Sequence, residues 1–293
     1  MRGGILLLDK PVGLSSNAAL QRVRRALGVD KAGHVGSLDP LATGMLPICL
    51  GEATKIAGDV LSGRKCYRFT IGLGIRTATG DTEGAVVETA PVPTLDSTKL
   101  ETVRRRFLGP QKQVPPMYSA LKRDGQPLYK LARAGVEVER APRDIELFDL
   151  VLVGFMTEQV ELETVCSKGT YIRVLAEDIA KALGTCGHVT ALRRVHVEPF
   201  AGEPMETLES IAQALEQGAQ PRVLPPDWPL GHLPKVTFSD AQVARLTHGQ
   251  AVVFTQMPDA AARIRLYDPA GRFLGIGESD GRGSIQPRRL FVY

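Results

Sequence analysis

Four consecutive apolar residues, Ile5 to Leu8, end abruptly at Asp9-Lys10-Pro11 and Gly13. A short run closed by turn residues predicts a buried strand. Ser15 or Ser16 can then cap a helix over 17–27, with Leu20, Val23 and Leu27 on one face, Arg22, Arg24 and Arg25 elsewhere, and Gly28 as its stop. A glycine-containing loop is expected over 31–36. Strands are expected at 65–73 and 85–87, separated by a polar turn at 76–84. Leu100, Val103 and Phe107 predict a helix over 95–108. From 109 to 143 the chain turns basic and loop-rich, with a short helix at 128–134. Two long strands at 145–155 and 160–166, a helix at 172–183 ended by Gly184, a strand at 188–197 and a helix at 208–217 follow. The proline-rich stretch 221–234 reads as a linker. Beyond it, a helix at 240–246 precedes short strand-like runs near Val252, Ile264, Phe273 and Ile285, a pattern that suits a small β-barrel. The expected class is α+β: a mixed β-sheet domain with flanking helices over 1–233, and a small barrel over 234–293.

Composition supports a folded chain. Its 293 residues are 43% hydrophobic, enough for one large core and a smaller second one. The net charge of +4 conceals an uneven distribution. Residues 1–38 hold six Lys/Arg against two Asp/Glu, residues 99–143 eleven against four, and residues 235–293 eight against five. Separated basic stretches suit a face for a polyanion, although a solvated surface has the same composition. Cys49, Cys66, Cys166 and Cys186 form no Cys-x-x-Cys pair, so free thiols are expected rather than disulfides or a metal site. The apolar run at the start is too short for a signal peptide or a membrane span, which leads to the expectation of a soluble, cytoplasmic protein.

The candidate chemistry centres on Gly33-His34-Val35-Gly36-Ser37-Leu38-Asp39-Pro40-Leu41-Ala42-Thr43-Gly44. Taken alone, Asp39 before a proline is an ordinary turn residue. The whole string, however, resembles the catalytic-aspartate motif of the TruB-type tRNA pseudouridine synthases. The similarity extends to Asp9-Lys10-Pro11, Lys65-Cys66-Tyr67, Gly80-Asp81, Pro115-Pro116-Met117-Tyr118-Ser119-Ala120-Leu121-Lys122, Ser167-Lys168-Gly169-Thr170-Tyr171-Ile172-Arg173 and Ala191-Leu192-Arg193-Arg194. Ala78, where an acid is common, and the run 195–199 depart from the family pattern.

The resemblance implies a pseudouridine-synthase-like catalytic domain, an RNA-gripping insertion at about 109–143, and a PUA-like RNA-binding module at the C-terminus. It implies isomerisation of uridine 55 in the tRNA T loop, with a tRNA-folding role beside it. Asp39, Tyr67 and Arg173 would be catalytic. His34, Tyr67, Tyr171, Leu192, Lys10 and Asp81 would bind substrate, and Lys10, Lys31, Arg104–Arg106, Lys122 and Arg123 are candidates for phosphate contacts. Each of these also has a structural reading as core or solvated surface. Moving a base from N1 to C5 oxidises nothing and carries no group away, so no cofactor is expected, and neither a Walker loop nor a dinucleotide fingerprint is present. The partner implied is a tRNA T-arm stem-loop, with no membrane, no obligatory protein partner and a monomeric enzyme. A non-catalytic RNA-binding module, an RNA-guided relative and a carboxylate hydrolase are the competing readings.

Overall fold

The computed structural model describes residues 3–254 and 262–292. In chain order, β1 (Gly4–Lys10) leads into α1 (Ser16–Ala26), β2 (Ala32–His34), β3 (Thr43–Leu50), a 3-10 turn (Gly51–Ile56) and α2 (Ala57–Ser62). Next come β4 (Lys65–Leu73), the hairpin of β5 (Ile75–Thr77) and β6 (Val86–Thr89), α3 (Ser97–Arg106) and β7 (Gly109–Gln113). The small hairpin β8 (Lys122–Arg123) and β9 (Gln126–Pro127) precedes α4 (Leu128–Arg133). Then follow β10 (Arg143–Met156), β11 (Gln159–Cys166), α5 (Ile172–Leu183), β12 (Gly187–Val197) and α6 (Leu208–Glu216). The last part holds β13 (Lys235–Thr237), α7 (Asp240–Thr247), β14 (Val252–Val253), β15 (Arg263–Tyr267), β16 (Phe273–Ser279) and β17 (Ser284–Leu290).

The first sheet runs β1-β3-β12-β4-β11-β10-β7, with β2 paired to β3. β12 lies parallel to β3 and antiparallel to β4. This central strand therefore joins the segment that follows Asp39 to the strand that carries Tyr67. β1 is buried on both faces because two cores meet there. Leu6 and Leu8 belong to the cluster that also takes in residues of α1, α3, α5 and α6, whereas Ile5 and Leu7 belong to a second cluster with Met45, Phe200 and Leu230. An unbroken apolar run is what such double burial requires.

The α+β class holds, and the C-terminal sheet is PUA-like. Its order is β13-β15-β16-β17-β14, a curled half-barrel in which, among the described residues, no pairing closes β13 onto β14. Residues 255–261 of the expected barrel lie outside the described residues. Tyr267, Phe273, Ile276 and Phe291 of this sheet join the second cluster, so it shares a core with β1 and β3.

Three local expectations are corrected. The loop at 31–36 contains β2, because the 32–34 backbone pairs with Ile48–Leu50. The polar turn at 76–84 contains part of a hairpin, since β5 pairs with β6. The stretch 221–234 is docked rather than free. Leu224 exchanges backbone hydrogen bonds with Ile5 at 2.9 and 2.8 Å, Leu230 is fully buried, and the Tyr267 hydroxyl donates to Asp227.

Candidate active site

Asp39 sits in a loop held from three sides. Ser16, the first residue of α1, donates through Oγ to the Leu38 carbonyl at 3.0 Å and accepts from the Leu38 N–H at 2.7 Å. From the end of β1, Lys10 Nζ donates to the carbonyls of Pro11, Leu14 and Pro40 at 2.9, 2.6 and 3.4 Å. From β12, Arg194 donates through Nη2 to the Gly36 carbonyl at 2.8 Å and through Nε to the Met45 carbonyl at 2.7 Å. Gly44 has φ +95°, and a Cβ there would overlap the Arg194 carbonyl oxygen, so the close approach of β3 to β12 demands glycine.

Arg173 enters from the first turn of α5. Its Nε lies 2.9 Å from Asp39 Oδ2, while Nη1 donates to the Thr79 carbonyl at 2.6 Å and Nη2 to the Tyr118 carbonyl at 2.7 Å. With its fork held by two carbonyls, the guanidinium presents one aimed N–H to the aspartate. The Asp39 side chain remains 42% exposed, whereas that of Arg173 is only 6% exposed. Burial raises the Asp39 pKa above the usual aspartate value; Arg173 opposes the rise, and the Asp81 carboxylate adds to it.

Asp39, Tyr67, Tyr171, Arg173, Leu192 and Arg194 line one cleft of about 410 Å³. Tyr67 faces Arg194 across the β4–β12 pairing and Thr164 across β11. Its phenol is pushed up by burial, with the Arg194 cation as the main opposing influence, so the hydroxyl is neutral near pH 7. Tyr171 caps α5 and is tied to β7. Its N–H donates to Gln113 Oε1 at 2.8 Å, and Gln113 Nε2 donates back to its carbonyl at 3.1 Å. The cleft therefore offers an exposed carboxylate, a fixed cation, aromatic rings and an apolar wall, which suits a planar, polar heterocycle taken out of a stack.

Not every expected residue faces this cleft. Lys10 has no exposed surface, and its ammonium is committed to backbone carbonyls; burial lowers its pKa to about 8. It holds the aspartate loop and cannot reach a phosphate. Asp81, 3% exposed, stands behind Arg173 at 3.8 Å and accepts from the Glu83 N–H and the Thr79 hydroxyl, so its place is support rather than direct substrate contact. His34 lies on β2 outside the cleft walls; burial lowers its pKa, and its Nδ1 is buried without a hydrogen-bond partner among the described residues. Of the surface cations, Arg104 is turned to Glu101 and the Leu150 carbonyl, and Arg123 to the Glu139 carbonyl.

Lys65 and Arg194 are among the cleft residues that sequence reasoning did not single out. Lys65 is buried, donates to the carbonyls of Leu61 and Gly63, and has its pKa lowered to about 8 by burial. Arg194 stood within a matched string, but nothing in the string distinguished it from Arg193, which forms a two-point pair with Asp9 at 2.9 and 2.7 Å. Strand alternation was the available signal: Arg194 shares a face with Leu192.

The three family descriptions that match cover most of the chain. The TruB family pseudouridylate synthase N-terminal domain matches residues 24–172, the tRNA pseudouridylate synthase B C-terminal domain 173–227, and the pseudouridine synthase II TruB C-terminal description 234–291. The chain is 47% identical over 289 residues to tRNA pseudouridine synthase B of Hydrogenovibrio crunogenus, covering 98% of this chain and 93% of that relative. It is 46% identical over 300 residues to the protein of the same name from Aeromonas salmonicida, covering 99% and 94%. The same fold occurs in a crystal structure of a Cbf5-Nop10-Gar1 complex (24% identity, TM-score 0.72, 99% of this chain and 85% of that one). It recurs in an H/ACA RNP bound to a substrate RNA containing 2′-deoxyuridine (21% identity, TM-score 0.72, 99% and 85%). With a family description over residues 24–172 and relatives 46–47% identical across nearly the whole of both chains, the chain belongs to the TruB family of pseudouridylate synthases.

Proposed function

We propose that this protein isomerises uridine to pseudouridine at position 55 in the T loop of tRNA. The observation that carries the reading is the partly exposed Asp39 carboxylate held 2.9 Å from a buried Arg173 in a cleft also lined by Tyr67 and Leu192. The target base is unreachable within a stacked loop and is flipped into this cleft, at a cost of a few kcal/mol. Asp39, ionised beside the sugar and base, assists cleavage of the N1–C1′ bond. The base turns, C5 bonds to C1′, C5 loses its proton and N1 gains one, so substrate and product are isomers. Arg173 keeps the carboxylate ionised and aimed. Tyr67 stacks on the base and presents a neutral hydroxyl near C5, Tyr171 and Leu192 complete the walls, and His34 meets the substrate loop from β2. The reaction needs no redox or group-carrying cofactor.

Residues 1–233, with their insertion at about 109–143, form the catalytic unit in this reading, and residues 234–293 the RNA-binding one. The insertion grips the T arm. The protein works as a cytoplasmic monomer; no helix among the described residues is long and apolar enough to cross a membrane.

The test uses a T-arm stem-loop tritiated at uracil C5, incubated without added cofactor. Wild type is expected to release tritium to water. Asp39→Asn should release none while binding RNA nearly as well, because phosphate contacts supply most of the affinity. Equal loss of binding and turnover in Asp39→Asn would make Asp39 a structural residue.

A further inference from the structure

Arg194 is a charged residue that is 1% exposed, at the centre of the sheet. Among the described residues, no carboxylate pairs with it at salt-bridge distance. A buried cation without a counter-charge is costly unless its N–H groups are satisfied. Here they are satisfied by groups belonging to different parts of the site. Nε donates to the Met45 carbonyl in β3, Nη2 donates to the Gly36 carbonyl three residues before Asp39, and Tyr67 in β4 stands directly opposite Arg194 across the strand pair, on the wall of the same cleft. Gly36, at φ +73°, passes so close that a Cβ on it would lie 3.2 Å from Nη1.

We infer that Arg194 is a positioning residue for the isomerisation, a single guanidinium that fixes the Asp39 loop and the Tyr67 hydroxyl relative to each other. The inference rests on the reading of Asp39 and Tyr67 given under Proposed function. The geometry explains why an arginine is required. One planar fork spans carbonyls on two segments while keeping a face to a third, which a lysine ammonium on a flexible stem does not do. It also separates Arg194 from Arg173. Arg173 touches the Asp39 carboxylate directly; Arg194 acts on the backbone that carries it. Both side chains line the cleft, but the buried Arg194 is committed to the protein rather than presented to a phosphate.

The experiment compares Arg194→Lys with wild type in single-turnover and steady-state tritium release, RNA binding and thermal unfolding. Arg194→Lys retains the buried charge and removes the fork. Its kcat should fall about 10²-fold, the loss associated with an ångström-scale misplacement of reacting groups, with KM and RNA affinity within about threefold of wild type. In a Tyr67→Phe background the same substitution should cost clearly less, because one of the two groups it aligns is already gone. Gly36→Ala disturbs the contact from the other side and should also lower kcat without raising KM; it carries the test if Arg194→Lys does not fold. A rise in KM at unchanged kcat, an undiminished kcat, or full additivity with Tyr67→Phe would overturn the inference. Asp39→Asn is the control beneath it: an active Asp39→Asn removes the reading itself, whereas an inert Asp39→Asn beside an unimpaired Arg194→Lys removes only the role of Arg194.

Discussion

The Arg173 Nε lies 2.9 Å from Asp39 Oδ2, with both terminal nitrogens of the same guanidinium already bound to the carbonyls of Thr79 and Tyr118. The cation is thereby fixed before substrate arrives, and its orientation depends on the 77–81 loop and on the insertion that carries Tyr118. An aspartate paired in this manner has one free side, and the 42% exposure of Asp39 is that side.

The pH dependence follows from the charges around it. Burial and Asp81 raise the Asp39 pKa above its ordinary 3.8, and Arg173 opposes them. In the proposed reaction Asp39 works in its ionised form, so the acid limb of kcat/KM should lie above pH 3.8. Asp81→Asn removes a negative neighbour and should move that limb to lower pH. A limb that stays in place in a folded Asp81→Asn would remove Asp81 from the electrostatics of the site.

Lys10 yields a stability prediction. Lys10→Met leaves three loop carbonyls without their donor and should destabilise the fold by about 1–3 kcal/mol, measured by urea denaturation. The folded pKa of Lys10 is lowered from 10.5 to about 8. Between these values the unfolded chain binds the proton and the folded chain does not, so wild-type stability gains with rising pH. The margin of wild type over Lys10→Met should therefore widen from pH 8 to 10.5. A constant margin would mean that burial does not shift this ammonium.

Gly44→Ala should be among the most damaging single-atom additions in the chain. A Cβ there would overlap the Arg194 carbonyl, and φ +95° is strained for alanine. A loss of about 2 kcal/mol or more is expected in the same denaturation assay. An alanine tolerated at wild-type stability would mean that β3 and β12 can separate at no cost.

The C-terminal sheet was expected to be separable behind a linker, but Tyr267, Phe273, Ile276 and Phe291 share a core with Ile5 and Met45. Removing 235–293 would expose that core, so the shortened protein should melt lower than the full chain, with activity falling as it unfolds. Calorimetry of the two proteins checks this. A truncated chain that melts like the full one would restore the picture of a separate module.

The sequence by itself determined the elements with a clear period and, through a long motif, the family to which the chain belongs. α5 is found at the expected residues, Ile172–Leu183, because its apolar face repeats at helical spacing and Gly184, at φ +90°, ends it. Asp39, Arg173 and Tyr67 could be singled out because each lies in a string that resembles a family motif, and the fold brings all three to one cleft. Other features were decided by tertiary structure. β3 was not read as a strand because its residues from Gly44 onward are buried, which erases alternation, and Pro47 interrupts the run. Lys10 and Asp81 read as substrate contacts because each is a charged residue in a string that resembles a family motif. Only the folded chain reveals that one ammonium is consumed by carbonyls and that one carboxylate stands behind Arg173. Arg194 illustrates the limit most directly. Its partners come from Gly36 and Met45, about 150 residues earlier in the chain. Hydrogen bonds across such separations are set by strand order, and strand order is not written in local periodicity.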